Sequence, residues 1–230
     1  MADRSVLVTG GTGGLGAAVT ATFRAAGWRV VVPGRAARAG SEPAADGVVR
    51  VTADLTDPTD VAHAVEAATG DSSAPLRAVV NLVGGYASGG LVHETPIEEF
   101  ERMLTLNLRP TYLVTQAALP HLVAAGAGAV VCVSARAAVA PFPGASGYVT
   151  AKAAVLAFAN AVAVEYRARG VRCNTVLPSV IDTPANRAAQ PDADHSRWVS
   201  PAEIAPVIHF LASAESAPTS GASVPVYGRA

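Results

Sequence analysis

The sequence predicts a doubly wound α/β protein, a seven-stranded, mostly parallel sheet with helices on both faces. Three observations predict it. Short apolar runs rich in valine alternate with longer helical stretches, as repeated strand-helix units require. Those runs show little polar alternation, which suits strands buried on both faces. A glycine-rich turn joins the first strand to the first helix.

Val6-Leu7-Val8 forms the first strand, and a helix over 15–26 follows the turn. Strands follow over 29–32 and 48–51, then a helix over 59–68 and a fourth strand over 76–83. A long helical stretch covers 96–125, where Pro110 marks a bend and Pro120 a near-terminus, because proline lacks the amide that continues the ladder. The fifth strand covers 129–134, a second long helix 148–169, the sixth strand 171–177, the last helix 201–213 and the seventh strand 222–226. Right-handed crossovers place these helices on the two faces of the sheet. No composition break or internal repeat divides the 230 residues, so a single domain over 1–230 is expected.

Composition narrows the function classes. Half of the residues are hydrophobic and 15% are charged, a pattern of core burial rather than disorder. A net charge of −1 gives no electrostatic attraction to nucleic acid or to an anionic membrane surface. No unbroken apolar run reaches the roughly 18 residues of a membrane span, and the short polar start, Met1-Ala2-Asp3-Arg4-Ser5, does not read as a signal peptide. Cys132 and Cys173 lie in apolar strands and read as buried free thiols, so a reducing, cytoplasmic compartment is expected. His63, His93, His121 and His209 lack metal-ligand spacing, and no metal is expected.

The polar and small residues gather at strand ends. Thr9-Gly10-Gly11-Thr12-Gly13-Gly14-Leu15-Gly16 leads into the first helix. There Gly10, Gly14 and Gly16 let backbone approach a pyrophosphate, with Thr12 and Leu15 beside them and helix amides to meet its charge. The same glycines would serve an ordinary turn, but their place in the first βα unit favours a nucleotide. Asp54-Leu55 follows the third strand and offers a carboxylate to an adenine amino group; Asn81 and Gly84 close the fourth, where small side chains leave room. Such positions outline the crevice where α/β sheets bind ligands. After the second strand, Gly34 stands where an acidic residue would hold the ribose of NAD, and Arg35 and Arg38 follow. A guanidinium pairs with a 2′-phosphate, so NADP(H) is the preferred cofactor and NAD(H) the alternative.

Tyr148 and Lys152 stand four apart at a helix start and share one face. A phenol's reference pKa is about 10, and a nearby ammonium favours the phenolate. Lys152 is therefore expected to lower the pKa of Tyr148 and ready it for proton exchange with a carbonyl or imine. Lys152 also stands ready to hold the nicotinamide ribose hydroxyls.

The combination Thr9-Gly10-x-x-x-Gly14-x-Gly16, Asp54-Leu55, Asn81, Asn107, Tyr148-x-x-x-Lys152 and Pro178…Thr183 resembles the short-chain dehydrogenase/reductase family, with its Rossmann-type fold, over nearly the whole chain. The resemblance implies that Asn107 holds a helix carbonyl and a water that relay protons to Lys152. It implies that in the segment from Pro178 to Thr183 the backbone of Ile181 and the Thr183 side chain fix the nicotinamide carboxamide. It also implies a homodimer or homotetramer formed through the two long helices. By local reading alone, Asn107 is a polar residue at a helix bend.

The family usually places a catalytic serine thirteen residues before the tyrosine, and here that position is Ala135. Ser134 is adjacent, but neighbouring strand residues face opposite ways. The runs from Ala135-Arg136-Ala137-Ala138 to Gly147-Tyr148 and from Leu177 to Arg187 resemble the quinoid dihydropteridine reductase branch, which lacks this serine. A quinonoid or iminium substrate is already electrophilic and needs less polarisation. Gly34-Arg35 departs from that branch, whose animal members carry an acidic residue there. The expected function is NADP(H)-dependent reduction of a C=O or C=N bond in a small planar molecule, with Tyr148 as proton donor. The alternatives are a ketone reductase or alcohol dehydrogenase that tolerates Ala135, and an NADP-binding sensor without turnover. Ala135, Tyr86 and Trp198 are the substrate-side candidates. Trp198 and His195 lie in a polar lid over 183–199, where Trp198 either stacks on a flat ring or anchors the lid.

Overall fold

The computed structural model describes residues 2–35 and 47–229. Its strands are β1 (Ser5–Thr9), β2 (Arg29–Gly34), β3 (Val48–Thr52), β4 (Leu76–Asn81), β5 (Gly128–Val133), β6 (Val171–Pro178) and β7 (Ser223–Val226). They form one sheet in the order β3-β2-β1-β4-β5-β6-β7, with every neighbouring pair parallel. Alternate residues of each strand enter different cores. In β1, Leu7 joins one core while Val6 and Val8 join the other. In β5, Val130 and Cys132 face one way and Val131 the other. Both faces are buried, which is why the strands read as continuous apolar runs.

Helices α1 (Gly14–Ala25) and α7 (Pro201–Ala212) cover one face through Val19, Phe23, Ile204 and Ile208. Helices α2 (Pro58–Thr69), α4 (Arg109–Ala124) and α5 (Ser146–Tyr166) cover the other through Val61, Val65, Val114, Leu122, Val155 and Val162. Each large apolar side chain buried this way contributes about 1.5–3 kcal/mol. Helix α3 (Ile97–Asn107) packs along α5, and the short α6 (Pro184–Ala189) follows β6.

The stretch over 96–125 is divided into α3 and α4 at Leu108, whose backbone stays helical and whose amide still donates to the Leu104 carbonyl, so the interruption falls beside Pro110 as the sequence implies. Pro110 sits in the first turn of α4, where a missing amide costs no hydrogen bond. The segment over 183–199 holds α6 and a 3₁₀ turn at His195–Arg197. The Thr183-Pro184 pair starts α6: the Thr183 hydroxyl accepts from the Asn186 amide at 3.2 Å, and proline fits the first helical position. Among the described residues one helical run, Ser146–Arg169, is long and apolar enough to cross a membrane. Its apolar side, including Val155, Ala159 and Val162, is buried against the sheet.

Strand order reverses between β1 and β4, the switch point where such sheets open a crevice. The hydroxyl of Thr9 pins that junction, accepting from the Leu82 amide at 3.0 Å.

Candidate active site

At the switch point Gly10 adopts φ +67°, a left-handed conformation that favours glycine. A Cβ on Gly16 would collide with the carbonyl oxygen of Gly10. Helix α1 therefore starts against the turn, and no side chain caps it. Its first amides remain for an anion. A Cβ on Gly14 would stand 2.7 Å from the Thr183 methyl carbon, so the segment after β6 closes on the same turn. Thr12 is exposed at the tip, and Leu15 packs against the α1–α7 core.

Arg35 is exposed just beyond β2, and Gly34 beside it faces open space. Arg38 lies outside the described residues. The Asp54 carboxyl is held below its ordinary range, first by the amide and hydroxyl of Thr56 and additionally by the charge of Arg35. One oxygen, Oδ1, accepts both Thr56 bonds at 2.9 and 2.8 Å. The Leu55 side chain is buried in the core, so only its backbone borders the crevice. Asn81 likewise turns away: its Nδ2 donates to the Thr115 hydroxyl at 3.0 Å, beneath the sheet.

Asn107 stands at the break between α3 and α4 and clamps the chain after β4. Its Oδ1 accepts from the Gly85 amide and its Nδ2 donates to the Gly85 carbonyl, both at 3.1 Å. A Cβ on Gly84 would stand 2.5 Å from Asn107 Oδ1 and 3.1 Å from Lys152 Nζ, so these two side chains flank one spot. Lys152 is buried, with Nζ donating to the Val133 carbonyl at 3.2 Å. The Ser134 hydroxyl is spent on the Lys152 carbonyl at 2.7 Å. Ala135 follows in extended backbone, only 7% exposed.

The electrostatics correct one expectation. Burial, reinforced by Tyr86, pushes the Tyr148 phenol up to about 12 rather than down. Lys152 Nζ lies 6.0 Å from the Tyr148 ring centroid and aims at Val133. Burial also pulls the Lys152 ammonium down to about 8. In this environment Tyr148 holds its proton at neutral pH, the state a proton donor needs.

Tyr86 meets Tyr148 edge to face at 5.0 Å between centroids, and Phe142 lies 6.5 Å from Tyr86. Tyr86 and Phe142 are 56% and 44% exposed, so three rings form an aromatic corner open to solvent. Sequence reasoning missed Phe142, although an apolar side chain held between Pro141 and Pro143 was a usable signal. Trp198 instead packs on His195, at 4.3 Å between ring centroids, within the segment after α6. The Ile181 carbonyl is taken by the Thr183 amide and Asn186 Nδ2, at 2.9 and 2.8 Å. A carboxamide contact from Ile181 would have to come from its amide. Pro178 is buried at the end of β6.

Residues 4–194 match the short chain dehydrogenase family model. Over 98% of both chains the sequence is 35% identical to the 2-(R)-hydroxypropyl-CoM dehydrogenase of Xanthobacter autotrophicus. It is 31% identical to the (3R)-3-hydroxyacyl-CoA dehydrogenase of Mus musculus, over 96% of this chain and 94% of the relative. The fold matches a short-chain type dehydrogenase/reductase from Mycobacterium ulcerans with TM-score 0.89 and 28% identity, over 100% of this chain and 90% of that one. It also matches ElxO with NADP bound, with TM-score 0.90 and 24% identity over 98% of both chains. The chain belongs to the short chain dehydrogenase family and is an oxidoreductase.

Proposed function

We propose that the protein reduces a C=O or C=N bond in a small planar molecule with NADPH. The observation that carries this reading is the aromatic corner of Tyr148, Tyr86 and Phe142 beside Lys152. A flat substrate stacks there with its reacting atom near a phenol that is still protonated.

The residues fit a dinucleotide. The uncapped amides of α1 would meet its pyrophosphate, Arg35 its 2′-phosphate, Asp54 its adenine, and Thr183 with the Ile181 amide its carboxamide. Lys152 would hold the ribose hydroxyls. When bound, the reduced nicotinamide supplies a hydride. The protein's own part is to orient the substrate and to place the Tyr148 proton on the heteroatom that gains charge. Asn107 keeps Gly84 and Gly85 against Lys152, so no side chain fills the space between.

Ala135 leaves the heteroatom without the usual serine donor, which favours quinonoid or iminium substrates of the dihydropteridine reductase type. A second reading, a ketone reductase or secondary-alcohol dehydrogenase, is favoured by relatives that act on hydroxypropyl and hydroxyacyl compounds. NADPH consumption with quinonoid dihydropterin, quinones, cyclic imines and ketones separates the two. Turnover of the first three classes over ketones supports the leading reading; NADPH binding without any turnover would leave a sensor.

Cytoplasmic location and self-association belong to the same proposal. The buried free thiols Cys132 and Cys173 suit a reducing compartment. Tyr112 on α4 and Val164 on α5 are exposed apolar residues suited to a homodimer or homotetramer. A monomer mass by light scattering would remove that part.

A further inference from the structure

Ser134 is committed to the Lys152 carbonyl and Ala135 carries no donor, so the chain lacks a hydroxyl where the family's serine would polarise the substrate. An unsupported carbonyl oxygen that gains charge is costly in a partly dry site, and one lost donor there typically slows turnover by roughly a hundredfold to a thousandfold. Tyr86 brings a second phenol to the site, its ring against that of Tyr148. Its ring stands edge to face with the Tyr148 ring, and the charge it would carry on ionising raises the Tyr148 pKa.

The loop that carries Tyr86 is held on both sides. Asn107 grips both backbone groups of Gly85. Beyond Tyr86, the Gly89 amide donates to the Gly144 carbonyl at 2.7 Å and joins this loop to the one carrying Phe142. The Tyr86 hydroxyl donates to Ser88 Oγ at 2.7 Å. Turning the O–H about its C–O bond would release that proton to a ligand without moving backbone. Ser88 could then donate back to the phenol oxygen and strengthen it as a donor.

We propose that the Tyr86 hydroxyl, supported by Ser88, is the hydrogen-bond donor that replaces the serine missing at Ala135. The inference rests on the reductase reading above and extends it to ordinary carbonyls. In the reaction the hydride adds to the carbonyl carbon, and the π pair moves onto oxygen. That oxygen takes its proton from Tyr148, while Tyr86 holds the oxygen by hydrogen bonding and keeps its own proton.

Acetophenone, a flat aryl ketone, serves as the carbonyl probe, and an N-methyl dihydroisoquinolinium ion as a hydride acceptor whose nitrogen can take neither a proton nor a hydrogen bond. Tyr86→Phe is expected to lower kcat for the ketone by about a hundredfold and that for the iminium ion far less. Ala135→Ser added to Tyr86→Phe should recover much of the ketone rate, which a merely structural role for Tyr86 would not allow. Ketone turnover within about twofold of the parent in Tyr86→Phe, no recovery in the double variant, or a parent that reduces the iminium ion but no ketone overturns the proposal. A parent that reduces neither the ketone nor the iminium ion sinks the reductase reading itself.

Discussion

The two ends of the sheet meet the same physical problem with different side chains. Every helix leaves amides unpaired at its start and carbonyls unpaired at its finish. At the amino ends of the strands, where helices finish, arginines supply the missing partners. Arg29 donates to the Ala67 carbonyl of α2 at 3.0 Å, and Arg77 to Ala125 at the end of α4 at 2.7 Å. Arg172 donates to Leu211 and Ser213 at the end of α7, at 3.0 and 2.8 Å. A cavity of about 930 Å³ opens here, lined by Arg4, Arg77, Arg167 and Arg172. It is remote from Tyr148, and Arg77 and Arg172 within it are occupied by helix ends. At the carboxyl ends, α2 and α7 begin with side-chain caps from Asp57 and Ser200, while α1 and α5, like α3 and α4, have none. Helices α1 and α5 flank the crevice. At one end the protein's own arginines meet the helix carbonyls, and beside the crevice at the other the first amides of α1 remain for a ligand.

If that division holds, variants at the carboxyl end change turnover and variants at the amino end change stability. Tyr148→Phe carries the largest effect. Losing the proton donor is expected to lower kcat by about 10²–10⁴-fold, with NADPH binding and the melting temperature nearly unchanged. Retained turnover would remove Tyr148 from the chemistry. Arg172→Met tests the other end. It strips charge-assisted bonds from the α7 carbonyls and should cost about 2–3 kcal/mol, or about 5–10 °C of melting temperature. Turnover below the transition should stay level. A large loss of kcat with normal melting would break the division.

Lys152 crosses the division, because it serves the site while buried. Its folded pKa, about 8, lies below the ordinary 10.5. Below about 8 both folded and unfolded chains carry the ammonium, and the burial cost is present in full. As pH rises from there toward 10.5, the folded chain has lost this proton and the unfolded chain has not, so stability rises with pH. Lys152→Met removes this penalty and should stabilise the cofactor-free protein by up to about 3 kcal/mol at neutral pH while abolishing turnover. A variant less stable than its parent would place Lys152 among the structural cations. In the parent, reduction should fall as pH rises through about 8, when the ammonium is lost. A profile flat well above that separates Lys152 from the proton transfer.

The fold was legible because its strands are buried on both faces, so that runs such as Val130-Val131-Cys132 needed no partner information to be read. The interruption at Leu108 was legible from Pro110 two residues on, which cannot supply the amide that would continue the ladder. Asn81, Asn107, Tyr148 and Lys152 stood out by residue type and spacing. Where their side chains turn did not. Asn81 faces Thr115 beneath the sheet, and Asn107 grips Gly85, because distant elements supply those partners. The sign of the Tyr148 shift was misread for the same reason. Spacing along one helix brings an ammonium near, whereas burial by the surrounding fold, and then the charge of Tyr86, act from elsewhere in the chain.

The smallest predicted effect concerns Arg35, at the rim of the crevice. It is exposed and reaches Asp54 by its charge, with Gly34 leaving open space beside it. A phosphate there would gain a charge-assisted bond that a ribose hydroxyl would not. Arg35→Asp removes that bond and offers an acceptor for the hydroxyl, so the ratio of kcat/KM for NADPH over NADH should fall by about tenfold. Thr56 sets most of the Asp54 shift, so the Asp54 carboxyl should stay below its ordinary range in the variant. That separates a change in cofactor contact from a collapse of the turn after β3. An unchanged ratio with that turn intact would remove Arg35 from cofactor choice. Arg38→Ala, measured in parallel, would then carry the question to the next guanidinium along the chain.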